Sequence, residues 1–351
     1  MNGVDVDLRV EPVRIGLVGA GRIGTSHARL LATRVPHARL VVVADPRPGV
    51  AAALAGPLGA RGVESPEEVF ADPAVDAVVI TASTGAHSGL VQAAAAAGKA
   101  VFCEKPAGLT LADLDAGIAA TDAAGVPFQV GFNRRFDRDF ARARAALDAG
   151  RLGTPQLLRS VTRDPGLADP AGVPPWTIFL MTLIHDFDTL LWLNPGAEPV
   201  SVYAVADALV APEFKGAGLL DTAVVTIRFG NGALAVAEAS FSAAYGYDVR
   251  GEVFGSAGAV TMGGSATGSL RSFDAAGAHV PTVRSDVELF ADAYTAELAE
   301  FASAVAQGRN PAVTGRDARR ALSIALSCIE SVKTGGPVDP ASLETPVGAG
   351  A

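Results

Sequence analysis

Residues 14–24 read RIGLVGAGRIG, an apolar run that closes on glycines at positions 19, 21 and 24. The pattern predicts a buried strand that turns directly into a helix. Gly19 would permit the tight turn, Gly21 would let a pyrophosphate approach the backbone, and Gly24 would let the helix pack closely on its strand. The free N–H groups at the start of that helix would then face an anion.

The surrounding sequence favours a dinucleotide site over a bare glycine turn, which is the alternative for so short a motif. A second apolar strand is predicted at 39–44 and ends at Asp45. The dinucleotide fingerprint places a carboxylate for the adenosine ribose about 20 residues after the glycines. Asp45 should repel a 2′-phosphate and favour NAD, whereas Arg47 would allow some use of NADP. The residues expected to contact the cofactor here are Gly19, Gly21, Arg22, Ile23, Gly24, Asp45 and Arg47.

Composition predicts a compact protein of two domains. The chain has 351 residues, of which 49% are hydrophobic and 19% charged, and this length is long for a single core. Its net charge of −9 argues against binding to a nucleic-acid backbone. Cys103 and Cys328 lack metal-ligand spacing, so we expect two buried core residues in a reducing compartment, and no metal site.

No export or membrane segment is expected. The first twelve residues carry acids instead of a basic stretch followed by an apolar run, which argues against a signal peptide. No uninterrupted apolar stretch reaches the roughly 18 residues that a membrane span needs. We therefore expect a cytoplasmic protein with no membrane partner.

Strands and helices alternate through residues 1–131, which predicts an α/β Rossmann domain with a doubly wound parallel sheet. After 39–44, the predicted strands lie at 75–80, 100–103 and 127–132. The carboxyl ends of parallel strands line the ligand crevice of such a sheet. We therefore expect further cofactor contacts at the strand ends, from Thr84, His87 and Glu104.

Residues 132–345 have a different pattern, which predicts an α+β domain with a mostly antiparallel, open sheet. The pair Asn231 and Gly232 is a hairpin signal. A long apolar segment at 176–193 is predicted to be helical, as are segments near 290–305 and 316–333. The predicted strands lie at 156–163, 200–206, 222–229, 233–241 and 249–254.

Two residues stand out as candidates for chemistry. Lys105 lies at a predicted strand end near the cofactor loop, where it could orient or polarise a substrate hydroxyl; the alternative is a surface lysine. His185 lies in the apolar segment IFLMTLIHDFDTLLWL, where an imidazole needs a partner or a purpose. The alternative for His185 is a structural histidine whose hydrogen bonds are satisfied.

Seven segments taken together resemble the Gfo/Idh/MocA oxidoreductases, and more narrowly their inositol 2-dehydrogenase-like members, from Val13 to about Val338. They are GAGRIG at 19–24, ASTGAH at 82–87, EKP at 104–106, GFNRRFD at 131–137, SVTRDP at 160–165, IHDFD at 184–188 and YGYDVRGEVFG at 245–255. The resemblance implies that Lys105 and His185 are the catalytic pair. His185 would take the proton of a ring hydroxyl and Lys105 would hold its oxygen, while hydride passes to the nicotinamide of NAD.

The resemblance also implies a small polyol, cyclitol or sugar as substrate, and a homotetramer assembled through the open face of the second sheet. Polar groups of the second domain would hold the substrate, which makes Arg135, Arg163, Tyr245 and Tyr247 candidates. Each has an alternative: pairing of an arginine with a nearby aspartate, Asp137 or Asp164, and packing of a tyrosine on the sheet.

One departure from the family pattern involves Met181. Inositol-type members usually have an aspartate one helical turn before the histidine, and this chain has Met181 there. Side chains four residues apart share a helix face, so Met181 would lie beside His185 at the substrate. The paired glycines of the pattern are also replaced, by Trp176 and Thr177. Two further interpretations stay open: a specialised-metabolism oxidoreductase acting on a keto-sugar or aminocyclitol, or a catalytically silenced cofactor-binding sensor.

Overall fold

The computed structural model describes residues 11–343 except 168, 267 and 269. The expectations for the first ten residues and for the tail at 344–351 lie outside the described residues. The described chain forms two compact units. The first unit comprises the described residues up to Ala107 together with Asp115–Gly131 and Tyr294–Gly315, and the second comprises Gly108–Leu114, Phe132–Ala293 and the described residues from Arg316 onward.

The sheet of the first unit consists of β1 Val13–Val18, β2 Ala38–Ala44, β3 Arg61–Val63, β4 Ala77–Ile80, β5 Ala100–Glu104 and β6 Phe128–Gly131. All of its strand pairs are parallel, in the order β3-β2-β1-β4-β5-β6. The order reverses between β1 and β4, so the topological switch point lies at their carboxyl ends. This confirms the predicted Rossmann sheet. β3 is absent from the sequence prediction because three residues are too few to show an apolar period.

The described helices are α1 Arg22–Thr33, α2 Val50–Ala55, α3 Pro66–Phe70, α4 His87–Ala96, α5 Leu111–Ala124, α6 Arg138–Asp148, α7 Leu183–Trp192, α8 Asp286–Leu289, α9 Ala291–Gln307 and α10 Gly315–Thr334. Within this described set, no helix has both the length and the apolar content to cross a membrane.

α9 differs from the predicted division of the chain, which placed all residues after 131 in the second domain. Its side chains Leu298 and Phe301 are fully buried in the core of the first unit. The ring of Phe301 packs edge-on against Phe102 of β5, with 5.8 Å between the ring centroids. Apolar periodicity shows that a helix buries one face but not which sheet that face covers. The segment at 294–315 therefore belongs to the first unit.

The sheet of the second unit consists of β7 Pro155–Arg163, β8 Pro199–Asp207, β9 Thr222–Phe229, β10 Leu234–Ser240, β11 Asp248–Gly255 and β12 Ala259–Gly264. Its order is β12-β11-β7-β10-β9-β8, and all of its pairs are antiparallel except β7 with β10. Gly232 has a φ of +90° in the turn between β9 and β10, as the hairpin signal predicts. Burial alternates along the strands, so one face is covered and the other is open. The predicted open, mostly antiparallel sheet is confirmed, and the structure adds one parallel pair.

The segment at 176–193 is helical but not regular. Trp176 has a φ of +62°, Ile178–Thr182 forms a π-helical turn, and α7 begins only at Leu183. α7 packs on β7 and β10. Short π-helical segments often occur at functional sites, and this one directly precedes α7, the helix that carries His185.

Candidate cofactor and active site

The three glycines of the first turn lie in the environments that the fingerprint requires. Gly19 has a φ of +103°, and a Cβ there would lie 2.6 Å from the backbone nitrogen of Ala82. Gly24 is buried in α1, and a Cβ there would lie 1.9 Å from the carbonyl oxygen of Gly19. Gly21 caps α1, and nothing lies within 4 Å of the position its Cβ would take. This open side, next to the free N–H groups of the helix, suits an approaching pyrophosphate.

Arg22 and Ile23 form the start of α1, with Arg22 exposed and Ile23 half-buried. Their backbone N–H groups belong to the first turn of the helix, where intrahelical acceptors are absent. This position is consistent with the predicted cofactor contacts.

Asp45 follows β2, and donors engage both of its carboxylate oxygens. Oδ2 accepts hydrogen bonds from the backbone N–H of Ala20 at 2.8 Å and from Nη2 of Arg47 at 2.9 Å. Oδ1 accepts from the backbone N–H of Arg47 at 3.0 Å and from its Nε at 2.8 Å. The side-chain bonds from Arg47 outweigh burial and lower the pKa of Asp45 to about 2. Because the Arg47 side chain is 61% exposed, ribose hydroxyls can replace it at modest cost.

The loop at 81–87 is tied to the end of β5 through His87. His87 is buried at the start of α4, with Nδ1 2.8 Å from the carbonyl oxygen of Pro106 and Nε2 3.0 Å from that of Ala82. Both ring nitrogens thus face backbone acceptors, so His87 supports the loop; the predicted cofactor contact by this side chain stays a prediction. Thr84 opens a 3₁₀ turn in the loop and is half-buried.

Glu104 and Lys105 lie at the end of β5 and differ in exposure. Glu104 is buried, and its carboxylate accepts hydrogen bonds from Nε2 of His27 at 2.8 Å and from the backbone N–H of Lys105 at 3.2 Å. Burial alone would raise the pKa of Glu104, but the hydrogen bond from His27 and the charge of Lys105 lower it. Both carboxylate oxygens of Glu104 are thus engaged within the protein, and its predicted cofactor contact stays a prediction. Lys105 is half-buried.

In the second unit, His185 lies half-buried on α7 with the ring of Phe132 edge-on to it, 5.9 Å between centroids. The two aspartates that follow it on α7, Asp186 and Asp188, both accept hydrogen bonds from arginines. Nη1 of Arg134 donates to Asp186 at 2.8 Å, and Arg135 donates to both oxygens of Asp188, at 2.8 and 2.5 Å. These buried pairs tie α7 to the 3₁₀ turn Asn133–Phe136, which carries both arginines.

Arg135 was predicted to be a substrate residue, and the structure engages it otherwise. Its side chain is 8% exposed and also pairs with Asp317 at 3.1 Å, while the ring of Trp192 lies 5.8 Å away. The alternative for Arg135 was an ion pair with Asp137. Arg135 is indeed paired, but with Asp188 and Asp317, while Asp137 caps α6. Arg135 is therefore buried and paired within the protein, and its predicted contact with the substrate stays a prediction.

Arg163, the second arginine candidate, pairs with Glu238 at 2.5 Å and not with Asp164. The sheet register explains the choice. Glu238 lies opposite Val161, so Arg163, two residues further along β7, is its diagonal neighbour on the same face. Arg159 is the other diagonal neighbour and also pairs with Glu238.

The tyrosine candidates follow β10. The hydroxyl of Tyr245 donates to Oδ2 of Asp248 at 2.8 Å, while 51% of the residue is exposed. Burial and the hydrogen bond to Asp248 raise the pKa of Tyr245. Tyr247 is half-buried. Both rings remain candidates for substrate contact.

Met181 lies in the π-helical turn, half-buried, and not in α7. The regular α-helical spacing that would place Met181 and His185 on one face therefore does not hold across this segment. The expected juxtaposition of their side chains stays a prediction.

Sequence reasoning missed His27, Arg134 and Asp186. Asp186 accepts from Arg134, Ser160 and Thr162 and is fully buried. His27 had a detectable signal, since it occupies an apolar-stripe position of α1 between Gly24 and Leu31. Arg134 and Asp186 have no comparable signal in the sequence, because charged side chains are ordinarily exposed and their burial is not expected.

A doubly wound parallel sheet with this glycine turn and a carboxylate after β2 defines a dinucleotide-binding domain, and its residues fit NAD. The residues at 13–132 match the family model described as an oxidoreductase family with an NAD-binding Rossmann fold, and those at 140–261 match the GFO/IDH/MocA C-terminal domain.

The chain belongs to the Gfo/Idh/MocA oxidoreductase family. It is 39% identical to a myo-inositol 2-dehydrogenase of Thermotoga maritima, over 92% of this chain and 96% of that protein. It is 38% identical to an NAD⁺-dependent scyllo-inositol 2-dehydrogenase of Bacillus subtilis, over 93% of this chain and 96% of that one. Among solved structures, it resembles a scyllo-inositol dehydrogenase from Lactobacillus casei with bound NAD(H) and scyllo-inositol, with a TM-score of 0.89, 28% identity, and coverage of 94% and 99%.

Proposed function

We propose that this protein is an NAD-dependent dehydrogenase that interconverts a ring hydroxyl of a cyclitol, of the inositol class, and the corresponding ketone. The observation that carries the proposal is that the identity to two inositol 2-dehydrogenases extends over at least 92% of the chain. It therefore includes the unit with the NAD cradle and also the unit that carries His185.

Each site residue has a proposed task. The turn at 19–24 holds the pyrophosphate and Asp45 the adenosine ribose. When bound, NAD supplies the hydride acceptor. Lys105 donates a hydrogen bond to the reacting oxygen and stabilises its developing negative charge, and His185 takes the hydroxyl proton as general base.

Tyr245, Tyr247 and Met181 are proposed to contact the substrate. A methionine in place of the usual aspartate removes a hydrogen-bond acceptor and so changes which cyclitol binds best. The keto-sugar and silenced-sensor alternatives derive from Met181 alone, whereas the full-length relatives support a cyclitol substrate.

We also propose that the chain assembles as a homotetramer through the open face of the second sheet. Several large apolar side chains are exposed there, and Phe254, Leu157 and Leu234 are direct neighbours across three adjacent strands. An exposed apolar patch of this kind favours association. The two free, buried cysteines Cys103 and Cys328 support a reducing compartment, the cytoplasm.

The test is NAD reduction by the purified protein with a panel of inositol isomers and aldoses, and NADH oxidation with the matching ketones. We expect turnover with at least one inositol. Lys105→Ala and His185→Ala should each lower kcat/KM by about 10²- to 10⁴-fold. The exposed residues Lys215 and His279 provide matched controls, and their alanine variants should behave as wild type. Saturable NAD binding with no turnover of any inositol would overturn the proposal.

A further inference from the structure

His27 is a polar residue in an apolar position. The buried face of α1 consists of Gly24, His27, Ala28 and Leu31, and His27 is fully buried. Burying an imidazole costs free energy unless a hydrogen bond compensates for its lost water. An aliphatic side chain would satisfy the packing of this stripe, so the imidazole needs a separate explanation.

The ring of His27 is hydrogen-bonded to Glu104. Its Nε2 donates to Oε1 of Glu104 at 2.8 Å, and within the described part of the chain Nδ1 has no hydrogen-bond partner. Aromatic rings enclose the imidazole: Phe102 lies edge-on at 5.9 Å and Tyr294 tilted at 5.4 Å between centroids. The orientation of the ring is therefore set by packing on its faces and by one carboxylate.

Glu104 in turn contacts the backbone of Lys105. Its second oxygen, Oε2, accepts from the backbone N–H of Lys105 at 3.2 Å. The carboxylate also packs against Gly131, where a Cβ would lie 3.1 Å from Oε2. The glycine therefore leaves the space that the carboxylate occupies. Burial opposes the lowering of the pKa of Glu104, whereas the hydrogen bond from His27 and the charge of Lys105 favour it, so the Glu104 carboxylate and Lys105 also interact through their charges.

We propose that His27 is a positioning residue for the reaction: it holds the Glu104 carboxylate, which in turn fixes the backbone of Lys105 and balances its charge. The proposal rests on the proposed role of Lys105 in the reaction. It also connects two elements of the first unit, since α1 begins at the glycine turn proposed to hold the pyrophosphate and β5 ends at Glu104, directly before Lys105.

The first test uses the cofactor-free protein, so it does not depend on turnover. His27→Phe keeps an aromatic ring in the packing but removes the donor to Glu104. Hydrogen–deuterium exchange at the Lys105 amide should become at least about tenfold faster, because its acceptor is no longer held. His27→Gln, which keeps a donor, should restore part of the protection. Unchanged exchange at Lys105 in His27→Phe would overturn the proposal.

The second test separates positioning from stability. His27→Phe should lower kcat by roughly 10- to 100-fold with the Kd for NAD within about twofold, because a displaced Lys105 affects the reacting oxygen and not the pyrophosphate. His27→Gln should recover much of kcat. Leu31→Ala, one turn along the same buried stripe, should lower the thermal stability while leaving kcat near wild type.

The outcomes distinguish the two proposals. A wild type that turns over no cyclitol contradicts the proposed function, while the exchange test still decides whether His27 positions Lys105. A His27→Phe variant with wild-type kcat, or one whose loss matches that of Leu31→Ala, overturns the positioning role.

Discussion

Replacing Arg135 with methionine should destabilise the second unit by about 3–5 kcal/mol, the cost of removing one partner from a buried ion pair. Arg135 donates two hydrogen bonds to Asp188, which is 1% exposed, and also pairs with Asp317. Methionine fills the aliphatic part of the site but removes the guanidinium that pairs with Asp188 and Asp317. Arg135→Met/Asp188→Asn should recover part of the loss, because a neutral amide needs no counter-ion.

Urea unfolding followed by tryptophan fluorescence measures this effect locally, because both tryptophans of the chain, Trp176 and Trp192, lie in the second unit. Arg138→Met is the matched control. Arg138 is 80% exposed and lies 3.8 Å from Asp139, so its loss should change the free energy of unfolding by less than about 0.5 kcal/mol.

The destabilisation should depend on pH with a definite sign. Burial raises the pKa of Asp188 above 3.8, and Arg135 opposes that shift. Without Arg135 the pKa of Asp188 should rise further, so the folded variant binds a proton that the unfolded chain releases above about pH 4. The penalty should therefore be smallest at acid pH and grow as pH rises through the folded pKa. A variant with wild-type stability but a raised KM for the cyclitol would refute this reasoning and make Arg135 a substrate ligand.

Three further predictions concern the cofactor, the substrate and assembly. Arg47→Gln should weaken NADP binding more than NAD binding, which isothermal titration with both cofactors measures. It should also raise the pKa of Asp45 from about 2 toward 3.8, which carboxylate NMR measures. Equal losses of affinity for the two cofactors would argue against a selective role of Arg47. Met181→Asp should change the ranking of inositol isomers by kcat/KM by at least about tenfold, as expected for a gained hydrogen bond, and an unchanged ranking would remove Met181 from the substrate site. Val224→Lys, at a position 47% exposed on the open face, should shift the solution mass toward smaller species by light scattering, whereas Phe273→Ser on the exposed hairpin strand Ser272–Asp274 should not.

Much of the fold follows from local pattern. The spacing of apolar residues and the turn residues can be read directly from a sequence. They predict the glycine turn, the strand that ends at Asp45 and the alternation of the later strands. The placement of α9 does not follow, because its apolar stripe fits either core equally well. β3 is too short for its period to be seen.

The site divides in the same way. Positions defined by backbone geometry, such as Gly19 and Gly24, are predictable because only glycine avoids the clashes found there. The partners of Arg135 and Arg163 are not, because they depend on sheet register and on a helix more than 50 residues away. His27 was within reach, since a histidine in an apolar stripe indicates a buried partner.

The most direct test of the central claim follows the hydrogen itself. Cyclitol carrying deuterium at the reacting ring carbon is incubated with the protein and NAD, and the recovered cofactor is examined by mass spectrometry and proton NMR. We expect one deuterium at C4 of the reduced nicotinamide, and a slower initial rate than with unlabelled cyclitol when hydride transfer limits the rate. Reduced cofactor without deuterium, or a deuterated cyclitol that is recovered unchanged while NAD remains bound and oxidised, would contradict it.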